Sequence, residues 1–181
     1  AKTFEWRRMW QGFGLWLLLE AVASLVEYLL HPEIYTVVFD ARRFLPFALV
    51  VLLLTPMQTT AEELLFRGYL LQATGHWGRN FLVLSLVNGI LFMLPHLGNP
   101  ELAASAILLP LFYLSFGAIF TYITLRDNSA ALAIGAHAAN NLYSALFANY
   151  TGSALQTESI FLVTELDAVY AVVSFWAMAG A

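Results

Sequence analysis

Three short runs in this sequence hold residue types that move protons. Glu62, Glu63 and Arg67 lie in Ala61-Glu62-Glu63-Leu64-Leu65-Phe66-Arg67, His96 closes Phe92-Met93-Leu94-Pro95-His96, and His137 and Asn141 lie in Gly135-Ala136-His137-Ala138-Ala139-Asn140-Asn141. Carboxylates and imidazoles are the usual general acids and bases near neutral pH. On a helix, Glu63 and Arg67 are four apart, share a face and can pair. Glu62 lies about 100° around the helix from Glu63 and has no local cation of its own. A like charge next door and a low dielectric both favour proton uptake at Glu62, which suits a general base. The plainer reading of the same residues is a buried ion pair that fixes helix packing, with Glu62 facing a cavity.

Each histidine also has a plain reading. His96 can be a satisfied interfacial residue at a helix end. His137 and Asn141 are one turn apart on one face, with small residues around them that allow close helix approach, and they can serve interhelical hydrogen bonding alone. Depth favours a shared site. Glu62 is fourteen residues before His76 and His96 is sixteen after Asn80. On adjacent antiparallel helices they reach similar heights, ~21 and ~24 Å from the shared turn.

The elements that must position these residues are long apolar segments. Of 181 residues 60% are hydrophobic and 11% charged, and the mean hydropathy is +0.72. A soluble domain carries roughly 25% charged residues, and a globule this small cannot hide so much apolar surface. Lipid is the expected solvent. The expected fold is all-α, a polytopic transmembrane helical bundle of about six spans in a single domain over residues 1–181. The spans are Trp10 to Leu30, an approach segment from Phe44 to Thr55 followed by a helix from Pro56 to about Ala73, Phe81 to His96, Glu101 to Leu125, Ala130 to Asn149, and Ile160 to Ala181. Glu20 and Glu27 in the first span should face the bundle or a wet cavity. Residues 31 to 43 form the longest polar connection, and Thr74-Gly75-His76-Trp77-Gly78 is a turn. Nothing alternates like barrel strands.

With six spans, Lys2, Arg7, Arg8, Arg79 and Arg126 fall on one side and Arg42 and Arg43 on the other, so the amino terminus is expected in the cytoplasm. Net charge is −4 and the eight basic residues are dispersed, which argues against a nucleic-acid partner. Cysteine is absent, which excludes disulfides and thiol nucleophiles. No aspartate lies in mid-span, which disfavours aspartyl chemistry and a serine triad. His-Glu-x-x-His spacing is missing, and no metal or other cofactor is expected. The chain starts at Ala1 and stops in an apolar run, and reads as a piece of a longer one.

Taken together, Glu62, Glu63 and Arg67, then Phe92 and His96, then His137 and Asn141 resemble the Glu-Glu-x-x-x-Arg, Phe-x-x-x-His and His-x-x-x-Asn motifs of the CPBP family. That family comprises CAAX proteases and bacteriocin-processing enzymes, including the type II CAAX prenyl endopeptidases. Phe116, Gly117, Tyr122 and Arg126 resemble the family's approach to its last motif, and the likeness covers about residues 57–145. It implies a glutamate-type intramembrane endopeptidase with a cavity open to one aqueous side. Glu62 and His96 would activate a water, His137 and Asn141 would donate hydrogen bonds to the tetrahedral oxyanion, and Glu63 and Arg67 would brace the site, with Phe92 in support. Expected partners are a peptide or lipidated protein substrate and membrane lipids, and the expected location is a prokaryotic cell membrane. Two other classes fit the same cluster: a non-catalytic membrane adaptor or immunity-type protein, and a proton-coupled transporter.

Overall fold

A computed structural model describes residues 4–76 and 78–181; Lys2 of the charge count and Trp77 of the turn lie outside them. Helix α1 is Trp6–Leu30. Helix α2 starts at Ala41 and runs to Glu63, winds on as a π-helix through Leu64–Leu70 and ends with Leu71–Thr74. Then come α3, Phe81–Met93, α4, Leu108–Asp127, α5, Ala131–Leu146, and α6, Ala168–Ala179. Among the described residues four helices are long and apolar enough to cross a membrane: Trp6–Leu30, Ala41–Thr74, Leu108–Asp127, and α3 with its continuation, Phe81–Gly98. Their outward faces carry exposed Leu15, Leu18, Leu29, Leu49, Leu53 and Leu82, as lipid contact requires. The all-α membrane bundle is the architecture found.

Several elements differ from expectation. The break at Pro56 does not occur, and both Pro46 and Pro56 lie inside one continuous helix. A membrane helix tolerates proline because side chains and neighbouring helices satisfy the freed backbone groups. The irregularity falls instead at Leu64, where π winding begins directly after the two glutamates. The span expected from Glu101 starts at Leu108, after a 3₁₀ turn at Pro100–Ala103, which puts Pro110 in the first helical turn where a missing N–H costs nothing. The last segment is no full span: α6 has 12 residues, about 18 Å of helix against ~30 Å of hydrocarbon.

Three short strands appear where none was expected. β1, Tyr35–Val37, β2, Ala148–Tyr150, and β3, Phe161–Val163, form a sheet in the order β1-β3-β2. β3 runs antiparallel to β1 and parallel to β2. The sheet ties the loop after α1 to both ends of the α5–α6 connection.

Three helices, α2, α3 and α6, start at a capping side chain. Asp40 accepts from Arg42 N at α2, Asn80 from Leu82 N and Val83 N at α3, and Asp167 from Val169 N and Tyr170 N at α6. Two close crossings set the bundle. A Cβ on Gly117 of α4 would lie 2.6 Å from Phe92 Cβ and 2.9 Å from Gly89 Cα of α3. A Cβ on Gly135 of α5 would collide with the Met9 carbonyl of α1, and one on Gly12 with the Leu132 carbonyl. The aromatic core of Trp16, Phe66, Phe92, Phe116, Phe120 and Phe175 fills the space between these crossings.

Candidate active site

The two adjacent glutamates have different surroundings. Glu63 is fully buried. Its Oε1 accepts from Arg67 Nη1 at 2.8 Å and from His137 Nδ1 at 2.7 Å. The Arg67 guanidinium, itself enclosed, also donates from Nη2 to the Gly117 carbonyl at 3.2 Å and lies 4.7 Å from the Phe92 ring centroid and 5.7 Å from that of Phe120. A buried charge is tolerable when it is paired and hydrogen-bonded, and this one is both, with aromatic faces adding cation–π attraction. Glu62 points elsewhere: 30% of its side chain is exposed and its Oε2 lies 3.7 Å from His137 Nε2. Gln58, one turn earlier on α2, donates to Glu62 Oε1.

Because a carboxylate only accepts, the contact with Glu63 assigns the Nδ1 proton of His137 and leaves Nε2 facing Glu62. His96 shows the same arrangement. Its Nδ1 donates to the Phe92 carbonyl at 2.7 Å, so Nε2 is free. The ring is held between Phe92, with centroids 4.7 Å apart, and Tyr113, 4.3 Å away. Glu62 and His137 both lie within Coulombic reach of His96, while among the described residues no hydrogen bond joins Glu62 to either imidazole. Asn141 donates to Gln58 Oε1 at 3.4 Å. The structure therefore gathers Glu62, Glu63, Arg67, Phe92, His96, His137 and Asn141 into one neighbourhood drawn from α2, α3 with its 3₁₀ extension, and α5. Within it one solvent-touching carboxylate faces one imidazole Nε2, with a second imidazole nearby.

Similarity to a known family decides the relationship. The model described as type II CAAX prenyl endopeptidase Rce1-like matches residues 41–143, from the start of α2 to near the end of α5, and so includes every residue just placed. The chain belongs to that family. A relative from Bacillus subtilis (strain 168), the uncharacterized protein YyaK, is 40% identical over 162 residues, which is 88% of this chain and 54% of that protein. The chain thus spans about half the length of the relative. No solved structure matches significantly. As a member of the Rce1-like family with four long apolar helices, it is an integral membrane protein with the fold of CAAX-type intramembrane proteases.

Some residues around the Rce1-like motifs were not singled out in the sequence. Gln58 reads as one more polar residue in an apolar helix, yet it bridges Glu62 and Asn141. Tyr113 reads as a core aromatic, yet it stacks on His96, and its hydroxyl donates to Glu101 Oε1. Glu101 is buried, accepts from Asn99 Nδ2 at 2.9 Å and from the Ala154 N–H at 3.0 Å, and so ties the turn after β2 to the partner of His96. The signal that could have found Gln58 is its place four residues before Glu62, one turn along the same face. No local signal marks Tyr113 or Glu101, because their role depends on how α4 packs. Among the described residues no group of three or more His, Asp or Glu side chains is placed to hold a metal ion.

Proposed function

We propose that the chain is an intramembrane endopeptidase that hydrolyses a peptide bond in a membrane-associated or lipidated peptide or protein. The observation that carries this reading is the asymmetry of the glutamate pair. Glu63 is spent on Arg67 and His137, while Glu62 keeps a solvent-facing side and faces His137 Nε2, with His96 within Coulombic reach.

In the proposed reaction Glu62 accepts a proton from water, and the other hydrogen of that water is held by His96 Nε2. The water oxygen forms a bond to the scissile carbonyl carbon as the carbonyl π pair moves onto oxygen. His137, protonated at Nε2 and ion-paired through Nδ1 with Glu63, donates to that oxyanion together with the second N–H of Asn141. Preorganised donors of this kind supply a large share of the rate enhancement in acyl transfer. The carbonyl then re-forms, the C–N bond breaks, and the Glu62 acid gives its proton to the leaving amine. Arg67 holds Glu63, and Phe92 holds both Arg67 and His96. Substrate and lipid are the proposed partners, a nucleic acid is not, and a prokaryotic cell membrane is the proposed setting given the Bacillus relative.

Glu62→Gln removes the base while keeping the shape. Peptide termini compared by proteomics in cells carrying wild-type or Gln protein should show a set of cleavage products that disappears with the variant, although the variant reaches the membrane at normal levels. Products retained with the Gln protein would overturn the mechanism. A cellular phenotype retained by the Gln protein with no cleavage products in either strain would favour the adaptor reading.

A further inference from the structure

A row of hydrogen bonds reaches Glu62 from outside the residues that match the family. Trp16, on α1, donates from Nε1 to Asn140 Oδ1 at 3.3 Å and also to Glu20 Oε1 at 3.1 Å. Asn140 Nδ2 donates to Asn141 Oδ1 at 3.1 Å, Asn141 Nδ2 to Gln58 Oε1 at 3.4 Å, and Gln58 Nε2 to Glu62 Oε1. Every step runs in the same direction. The reason lies at the first residue: an indole N–H can only donate, so Asn140 must present oxygen to it. With that oxygen engaged, the Asn140 amide offers nitrogen to Asn141, which offers nitrogen to Gln58, which offers nitrogen to the carboxylate.

The opposite orientation would place the Gln58 oxygen against Glu62, two acceptors in contact. Glu62 would then have to take a proton or swing away. Trp16 is itself firmly placed, buried and edge-on to Phe120 with centroids 5.2 Å apart.

We propose that Trp16 is a positioning residue for Glu62, its donor-only indole setting the polarity of the Asn140–Asn141–Gln58 relay so that an N–H always meets the carboxylate. The relay keeps Glu62 in one rotamer and in the accepting state that a water-activating base requires. This rests on the endopeptidase reading above. It assigns a part in catalysis to α1, which lies outside the matched residues 41–143.

Trp16→Phe keeps an aromatic ring in the core, though a smaller one, and removes the N–H. Asn140→Asp is isosteric, accepts from Trp16 and has no donor for Asn141. In wild-type protein first shown to cleave a substrate, either variant should lower kcat roughly 10-fold with KM within about 2-fold, and move the acid limb of the pH–rate profile upward by about one pH unit, the size expected for one hydrogen bond to a charged group. Glu20→Leu leaves the Trp16 N–H on Asn140 and should keep the wild-type profile. A spectroscopic arm does not depend on turnover: the infrared carboxylic-acid band lost in Glu62→Gln should persist to higher pH in Trp16→Phe than in wild type. A wild-type pH profile and band in folded Trp16→Phe would overturn the relay, and so would the same shift in Glu20→Leu. Wild-type protein that cleaves nothing counts against the endopeptidase reading, and the infrared arm then still decides the relay.

Discussion

Removing the charge of Glu63 strands two partners at once, because the same oxygen serves Arg67 and His137 in a buried setting. Breaking one side of a buried ion pair costs about 3–5 kcal/mol. Glu63→Gln should therefore lower unfolding stability in detergent by that order, read as a shift in the thermal or denaturant midpoint. Glu62→Gln should shift it by less than about 1 kcal/mol, since Glu62 is partly exposed and its contact with His137 is too long for a hydrogen bond. Equal losses for two neighbouring glutamates would contradict the division of labour drawn between them. At this scale the sequence was informative. The four-residue spacing pairs Glu63 with Arg67, and the offset of Glu62 follows from helix geometry alone. That His137 bridges toward both glutamates was not legible, since it depends on α5 lying against α2, which no local spacing encodes.

At the scale of elements, close helix crossings hold the site together. Gly135 lies two residues before His137, and its α-carbon faces the Met9 carbonyl of α1 so closely that any side chain collides with backbone. Overpacking typically costs 1–3 kcal/mol where the neighbour can give, and a carbonyl held in a helix gives little. Gly135→Ala should cost at least about 2 kcal/mol, visible as a lower midpoint, and should reduce cleavage because α5 carries His137 and Asn141. Gly14, with open space around its α-carbon, is the matched control, and Gly14→Ala should be neutral or slightly stabilising. The apolar runs made the helices legible. Continuity of α2 through Pro46 and Pro56 was not, because proline breaks helices in water and is tolerated where neighbouring helices satisfy the backbone. The shortness of α6 was hidden for a different reason. Residues 160–181 are mostly apolar, with Thr164, Glu165 and Asp167 near their start, and pairing of Phe161–Val163 with Tyr35–Val37 and Ala148–Tyr150 takes that start out of the helix, which begins only after the Asp167 cap.

For the whole molecule, the charge pattern along the chain becomes a difference between two ends. Arg8 pairs with Asp127 at 3.2 Å, which puts the start of α1 and the end of α4 together, with Arg126 beside them. A cavity of about 580 Å³ joins Arg79 to Asn128 and Ser129 at that same end. Arg42 and Arg43 lie at the opposite end, where Arg43 pairs with Glu158 near the three-stranded sheet. Four of the described arginines against two, with Arg67 buried between, favour the first end as cytoplasmic. Absence of cysteine from these 181 residues makes this directly testable, because an introduced thiol is the only one among them. His76→Cys and Glu165→Cys, both exposed and at opposite ends of the bundle, should react from opposite sides with a membrane-impermeant maleimide. In intact cells stripped of the outer barrier, Glu165→Cys should label and His76→Cys should label only after the membrane is opened. The reverse pattern would invert the orientation but keep the two-ended fold, whereas labelling of both from one side would refute the arrangement of α2 and α3 as antiparallel spans with Glu62 and His96 at similar depth.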